Sequence, residues 1–134
     1  MMKGKFLMRE DLIPEKWEWG STAGISGPMV THAKDLVILH VTLLPGKGHD
    51  FHKHPGQEEV IYVLDGEIEQ WVDKEKRILK PGDSAFITAN MVHASFNIGS
   101  ANAKVLAILG PAVGQSGYEV VEVSGESPWN SLRT

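Results

Sequence analysis

The chain of 134 residues contains no cysteine. Disulfides, thiolate metal ligands and cysteine nucleophiles are therefore excluded together, and the absence fits a reducing compartment. No apolar run approaches the roughly 20 residues that a membrane-spanning helix needs. The short apolar pieces of residues 1–14 are broken by Arg9, Glu10 and Asp11, so the apolar core and cleavage site of a signal peptide are missing as well. A cytoplasmic protein without a membrane partner is the expectation. The formal net charge is -4 and no basic run is present, which makes a nucleic-acid partner unexpected. No Ser/His/Asp order is recognisable, and Gly24-Ile25-Ser26-Gly27 is too short to read as a phosphate loop. What remains is ordinary for a globular chain: 42% hydrophobic and 22% charged residues, at a length that accommodates one domain and not two.

Fourteen glycines and seven prolines favour many short elements over a few long helices. Leu36–Leu44 is rich in β-branched and aliphatic residues and stops at Pro45-Gly46. Val60–Leu64 runs into Asp65-Gly66, a strong hairpin signal. Glu67–Val72 alternates polar and apolar, and Arg77–Leu79 leads into Pro81-Gly82-Asp83. Ser84–Thr88, His93–Ile98, Lys104–Leu109 and Tyr118–Val123 complete the expected strands. Ser127-Pro128-Trp129 reads as a short helical turn capped by Ser127, and one helical turn is expected within Glu10–Trp17. Short strands at this spacing predict an all-β sandwich or barrel. Val60–Leu64 is apolar on both faces, so its outer face needs cover from the terminal segments or from a second subunit; a homodimer is expected.

Four residues carry the chemistry: His52, His54, Glu59 and His93. Positions two apart on a strand project from one face, so His52 and His54 reach one point. Glu59 follows the Pro55-Gly56 turn and can return a carboxylate to that point. His93 lies 34 residues further on and arrives only through tertiary folding. Three imidazoles and a carboxylate suit a divalent transition metal (Mn, Fe, Co, Ni, Cu or Zn). On an octahedral ion, four protein ligands leave two positions for water, substrate or dioxygen.

The spacing around these residues resembles the cupin family. Its first motif appears here as Gly46, five residues, His52-Lys53-His54, four residues, Glu59, six residues and Gly66. Its second motif appears as Gly82, then His93 and Asn97 at the family spacing. The family's Pro-x-Gly element is replaced by Thr88-Ala89-Asn90, tolerable because Asn accepts a left-handed backbone. Fifteen residues separate the motifs, similar to small microbial members. The resemblance implies a double-stranded β-helix, or jelly-roll barrel, with one domain over residues 1–134. Its core is expected at about 29–110, with segments 1–28 and 111–134 packed outside or at a dimer interface. It also implies His52, His54, Glu59 and His93 as metal ligands. Counting back from Gly66 selects Glu59 over Glu58, which then points to solvent. His49 has the opposite parity to His52 and reads as a surface or rim residue. His40 reads as a core or interface histidine, and nothing sharper follows for His32. Trp17, Trp19, Trp71 and Trp129 read as outer-face or interface packing, with an aromatic platform for a sugar as the alternative.

A further expectation comes from register. If Asp65-Gly66 is a two-residue hairpin turn, Leu64 faces Glu67, Ile61 faces Gln70 and Glu59 faces Val72. Cross-strand partners share a face, so an inward Glu59 brings Gln70 inward beside the metal. Gln70 would then contact ligand or metal-binding residues, supported by Ser95 and Asn97; otherwise it is satisfied by backbone or solvent near the mouth. The family resemblance implies two readings of function. One is a metalloenzyme acting on a small oxygen-rich ligand (a hydroxy or keto acid, a sugar-like or phenolic molecule) by dioxygenase, isomerase or lyase chemistry. The other is a non-catalytic small-ligand-binding or sensor protein. Fold alone does not choose between them.

Overall fold

A computed structural model describes residues 4–133; the ends of the expected 1–134 domain lie outside them. Among the described residues eleven strands and one α-helical turn follow in order: β1 (Pro14–Trp17), β2 (Gly20–Ser26), α1 (Pro28–Thr31), β3 (Val37–Leu43), β4 (Gly48–Lys53), β5 (Glu58–Asp65), β6 (Ile68–Val72), β7 (Glu75–Leu79), β8 (Ser84–Ile87), β9 (His93–Asn97), β10 (Ala103–Gly110) and β11 (Val121–Glu122). They form two antiparallel sheets. One has the order β1-β2-β3-β10-β5-β8 and the other β11-β4-β9-β6-β7. This is the jelly-roll, double-stranded β-helix architecture. Residues 20–26, expected outside the barrel core, form β2 and pair along β3.

Alternation builds the core. On β10 the buried positions are Ala103, Val105, Ala107 and Leu109, each second residue. Val105 pairs with Val41 on one side and Val63 on the other, and Ala107 with Leu39 and Ile61. The inner rows of three neighbouring strands therefore meet as one apolar wall. Each fully buried Val or Leu side chain contributes about 1.5–3 kcal/mol relative to exposure.

The hairpin expected at Asp65-Gly66 does not form. β5 pairs with β10 and β8, whereas β6 pairs with β7 and β9, so the turn passes the chain from one sheet to the other. An Asp-Gly pair reverses a chain but does not dictate which strands then hydrogen-bond. A strand apolar on both faces belongs in the middle of a sheet, where β5 sits. The inward facing of Ile61, Val63, Ile68 and Gln70 nevertheless holds, because both sheets turn one face to the same core.

The outer faces differ. Phe51, Trp71, Ala94 and Phe96 on the five-stranded sheet are buried under Val123, Trp129 and Leu132 of the C-terminal segment. Phe51 meets Trp71 edge-on at 5.5 Å between ring centroids. Arg133 lies 3.6 Å over the Phe96 ring and pairs with Glu69. The helical turn here is a 3₁₀ turn, Trp129–Ser131, with Pro128 at its cap and no side-chain capping bond; Ser127 does not cap it. Of the expected Tyr118–Val123 strand only Val121–Glu122 pairs. At the N-terminus the helical turn occupies Arg9–Asp11, and residues 14–17 are extended as β1. The outer face of the six-stranded sheet keeps Tyr62, Leu64 and Phe86 exposed.

Candidate metal centre

The centre forms where β4 and β9 meet. Gly48 makes that approach possible: a Cβ there would stand 2.1 Å from the Ser95 carbonyl oxygen and 2.6 Å from Phe96 Cα. Beyond it the register shifts. His49 pairs with Ser95 and His52 with His93, so β4 spends one residue more than β9 across this interval. Such a bulge resets the alternation. His52 and His54 still share a face, as their spacing predicts, and Asn90 adopts the expected left-handed backbone with φ 65. Its N–H donates to the His54 carbonyl at 3.1 Å, tying the β8–β9 loop to the site. Glu59 points inward from β5 at 4% exposure while Glu58 faces solvent.

Each imidazole is fixed from behind. Nδ1 of His52 lies 2.6 Å from the Asp50 carbonyl, that of His54 2.7 Å from the Glu119 carbonyl, and that of His93 3.0 Å from the Met91 carbonyl. A carbonyl only accepts, so each Nδ1 carries the proton. In neutral rings each Nε2 is then a lone pair. The ligand atoms of His52, His54 and His93 lie within 4.8 Å of one another, and all three residues are buried. Glu59 Oε1 stands 2.7 Å from His93 Nε2 and 3.2 Å from His54 Nε2. Oε1 and His93 Nε2 are buried without a hydrogen-bond partner. Two acceptors at 2.7 Å require a positive charge between or beside them, a proton or a metal ion. Neighbouring ligands at right angles on an ion with bonds of about 2.0–2.2 Å stand about 2.8–3.1 Å apart, close to both separations. The donor set therefore fits a divalent transition metal.

Electrostatics agree with that donor set. Burial raises the Glu59 carboxyl, but the facing imidazoles of His54 and His93, when they carry a proton at Nε2, outweigh it and hold the group at about 2. Burial and the neighbouring imidazoles of His49, His93 and His54 hold His52 well below the ordinary histidine range. Burial also lowers His54, yet Glu59 and the Glu119 carbonyl more than compensate and leave it raised. The carboxylate is ionised and His52 neutral near pH 7, the forms that ligate.

The centre opens into a cavity of about 220 Å³. His49 borders it, against the parity argument: the bulge turns it inward, where its ring stacks on His52 at 3.6 Å between centroids and 8° between planes. Its Nε2 is 3.0 Å from a Glu122 carboxylate oxygen on β11. Trp19 stacks on His49 at 5.2 Å and Trp17 on Trp19 at 6.3 Å, both nearly parallel. Trp17 and Trp19 thus line the cavity mouth, whereas Trp71 and Trp129 pack on the outer face as expected. The tail supplies Tyr118, 6.3 Å from the His54 ring. Gln57, which the sequence reading passed over, holds that tail. Its amide donates to the carbonyls of Pro111 (2.7 Å) and Gly117 (2.9 Å), and its oxygen accepts from Glu119 N–H (3.3 Å). His40 and His32 do not border the cavity. His40 faces outward on β3, opposite Leu106, and His32 ends α1 with φ 60.

Gln70 is buried beside the site. Its amide donates to the Trp71 carbonyl at 3.0 Å, and its oxygen accepts the Ser95 hydroxyl proton at 2.5 Å. Of the two, Ser95 borders the cavity. Asn97 fastens a loop: its amide donates to the Leu43 and Ala101 carbonyls, and its oxygen accepts from Gly99 N–H.

A family model described as a Cupin domain matches residues 39–109. Over 87 residues the chain is 32% identical to the pectin degradation protein KdgF of Dickeya dadantii, spanning 64% of this chain and 79% of that protein. Over 79 residues it is 32% identical to an oxalate-binding protein of Thermotoga maritima, spanning 58% of this chain and 64% of that protein. The solved structure of KdgF from Halomonas sp. shares the fold, with a TM-score of 0.74 at 20% identity over 83% of this chain and 96% of that one.

Proposed function

The chain belongs to the cupin family, and on that premise we propose that it is a metal-dependent enzyme holding one divalent transition metal through His52, His54, Glu59 and His93. The observation that carries this reading is the set of three Nδ1–carbonyl bonds, which leaves three Nε2 lone pairs and an ionised carboxylate facing one another in a buried site. A metal bound there would act as a Lewis acid toward a small oxygen-bearing ligand, or as a redox centre if it were iron. The protein's own residues supply the rest. Asp50, Met91 and Glu119 carbonyls hold the rings in the ligating tautomer. His49, oriented by Glu122 and open to the cavity, is placed to take or give a proton at the ligand. Dioxygenase or isomerase/lyase chemistry on a hydroxy acid, keto acid or related oxygen-rich molecule fits these parts.

The second reading, a binding protein without turnover, is favoured by the likeness to an oxalate-binding protein. The His49–Glu122 pair supports the enzyme, since simple binding needs no oriented imidazole beside the ligands. Two further features belong to the proposal. A second copy of the chain covers the exposed Tyr62, Leu64 and Phe86 face, since the C-terminal segment covers only the other sheet. The chain works in the cytoplasm as one domain, in keeping with its lack of cysteine.

The test is metal content of His52→Ala and His93→Ala proteins purified without chelator. Both should stay folded and lose most of their metal relative to wild type. Full occupancy in the double variant would refute the assignment.

A further inference from the structure

The cavity has two unlike walls, and the contrast speaks to the ligand. The ligating histidines and Ser95 stand on one side. On the other, the inner rows of β3, β5 and β10 present Leu39, Val41, Ile61, Val105 and Ala107, with the metal-facing Glu59 of β5 as their polar member. Of the polar groups away from the metal residues, those of Ser95, Glu122 and Thr22 are engaged, and the Tyr118 hydroxyl stands at the cavity beside them. The Ser95 hydroxyl donates to Gln70, Glu122 accepts from His49, and Thr22 Oγ1 accepts from Trp17 Nε1 at 3.1 Å. The mouth is flanked by the parallel rings of Trp17, Trp19 and His49.

We propose that this site takes a ligand with two adjacent oxygen donors on an apolar body the size of one ring, and that it disfavours polyhydroxylated molecules. The proposal rests on the metal reading above, which fixes where the oxygen donors go. The oxygens face the triad and Glu59; the body lies against the aliphatic wall. A sugar chain against the aliphatic wall would surrender water from each hydroxyl and meet mostly methyl groups in return. The likeness to a pectin degradation protein therefore does not extend to a saccharide ligand here. Size sets an upper bound. An apolar cavity of about 150 Å³ holds a benzene, so 220 Å³ is room for one substituted ring inside the mouth.

Three α-keto acids with the same chelating head separate the alternatives: benzoylformate with a ring, pyruvate with a methyl group, and 2-ketogluconate with a hydroxylated chain. Each is titrated into the cobalt(II)-loaded full-length protein by calorimetry, with the cobalt visible spectrum reporting engagement of the head. Benzoylformate should bind at least tenfold more tightly than either of the others. Val41→Thr, which puts a hydroxyl on the aliphatic wall at nearly constant volume, should narrow that ratio. Equal affinities, 2-ketogluconate in first place, or no binding by any of the three would overturn the proposal and leave the metal assignment standing. Failure of cobalt to bind at all, seen by elemental analysis before any acid is added, would overturn both.

Discussion

Replacing Gln57 with leucine should weaken metal binding from a residue that never touches the metal. The side chain is 1% exposed and makes three hydrogen bonds to the tail, at 2.7, 2.9 and 3.3 Å. Leucine keeps the volume and deletes all three. Gly117 is buried, so its carbonyl would be orphaned at about 1–3 kcal/mol. Pro111 and Glu119 are exposed, and water can replace their partner, leaving a net loss of about 0.5–1.5 kcal/mol each. The sum, about 2–6 kcal/mol, lies mostly below a typical domain's total stability of about 5–15 kcal/mol, so the barrel should survive with a lower denaturation midpoint. The functional effect runs through Glu119, whose carbonyl fixes His54 Nδ1 at 2.7 Å. Loss of such an orienting partner typically costs about 10–100-fold in metal affinity. Urea denaturation of metal-free protein measures the first effect, and competition with a chromophoric chelator measures the second on folded protein. A lowered midpoint with unchanged metal affinity would refute the claim that the tail orients His54. An unchanged midpoint would refute the clamp.

Metal affinity should fall as pH drops from 8 to 5. His54 is raised by Glu59 despite its burial, so it takes up a competing proton more readily than an ordinary histidine. His52 is held well below that value and Glu59 at about 2, so neither protonates early; a flat affinity profile across this range, read by chelator competition, would contradict the ligand assignment. Phe86, 55% exposed on the uncovered sheet face, should control assembly. Phe86→Glu should convert a dimer to a monomer in sedimentation velocity with metal content unchanged, and a wild-type monomer at micromolar concentration would show that this face needs no partner.

The parts of this site that could be read from the sequence are those set by local period. His52 and His54 share a face because strands repeat every second residue, and Glu59 separates from Glu58 for the same reason. Asn90 was legible because few non-glycine residues accept its backbone. His49 was not, because the bulge between it and His52 arises from pairing with β9 and leaves no mark in β4 itself. Gln70 turned inward as expected although the pairing behind that expectation was wrong, since alternation fixes the face and only the topology fixes the partner. The place of Trp17 and Trp19 at the cavity, rather than on an outer face, was not legible because the two-residue turn at Glu18-Trp19 that folds β1 onto β2 contains no glycine, asparagine or proline. The Gln57 clamp joins positions 54 to 62 residues apart, beyond the reach of any local pattern.

The account stands on a metal held by three imidazoles and one carboxylate. X-ray absorption of the protein, purified without chelator, tests it most directly. The account predicts close to one divalent transition metal per chain, nitrogen and oxygen neighbours at about 2.0–2.2 Å, and the outer-shell scattering of three imidazole rings. A protein that takes up no stoichiometric metal, or a metal without imidazole scattering, would contradict it.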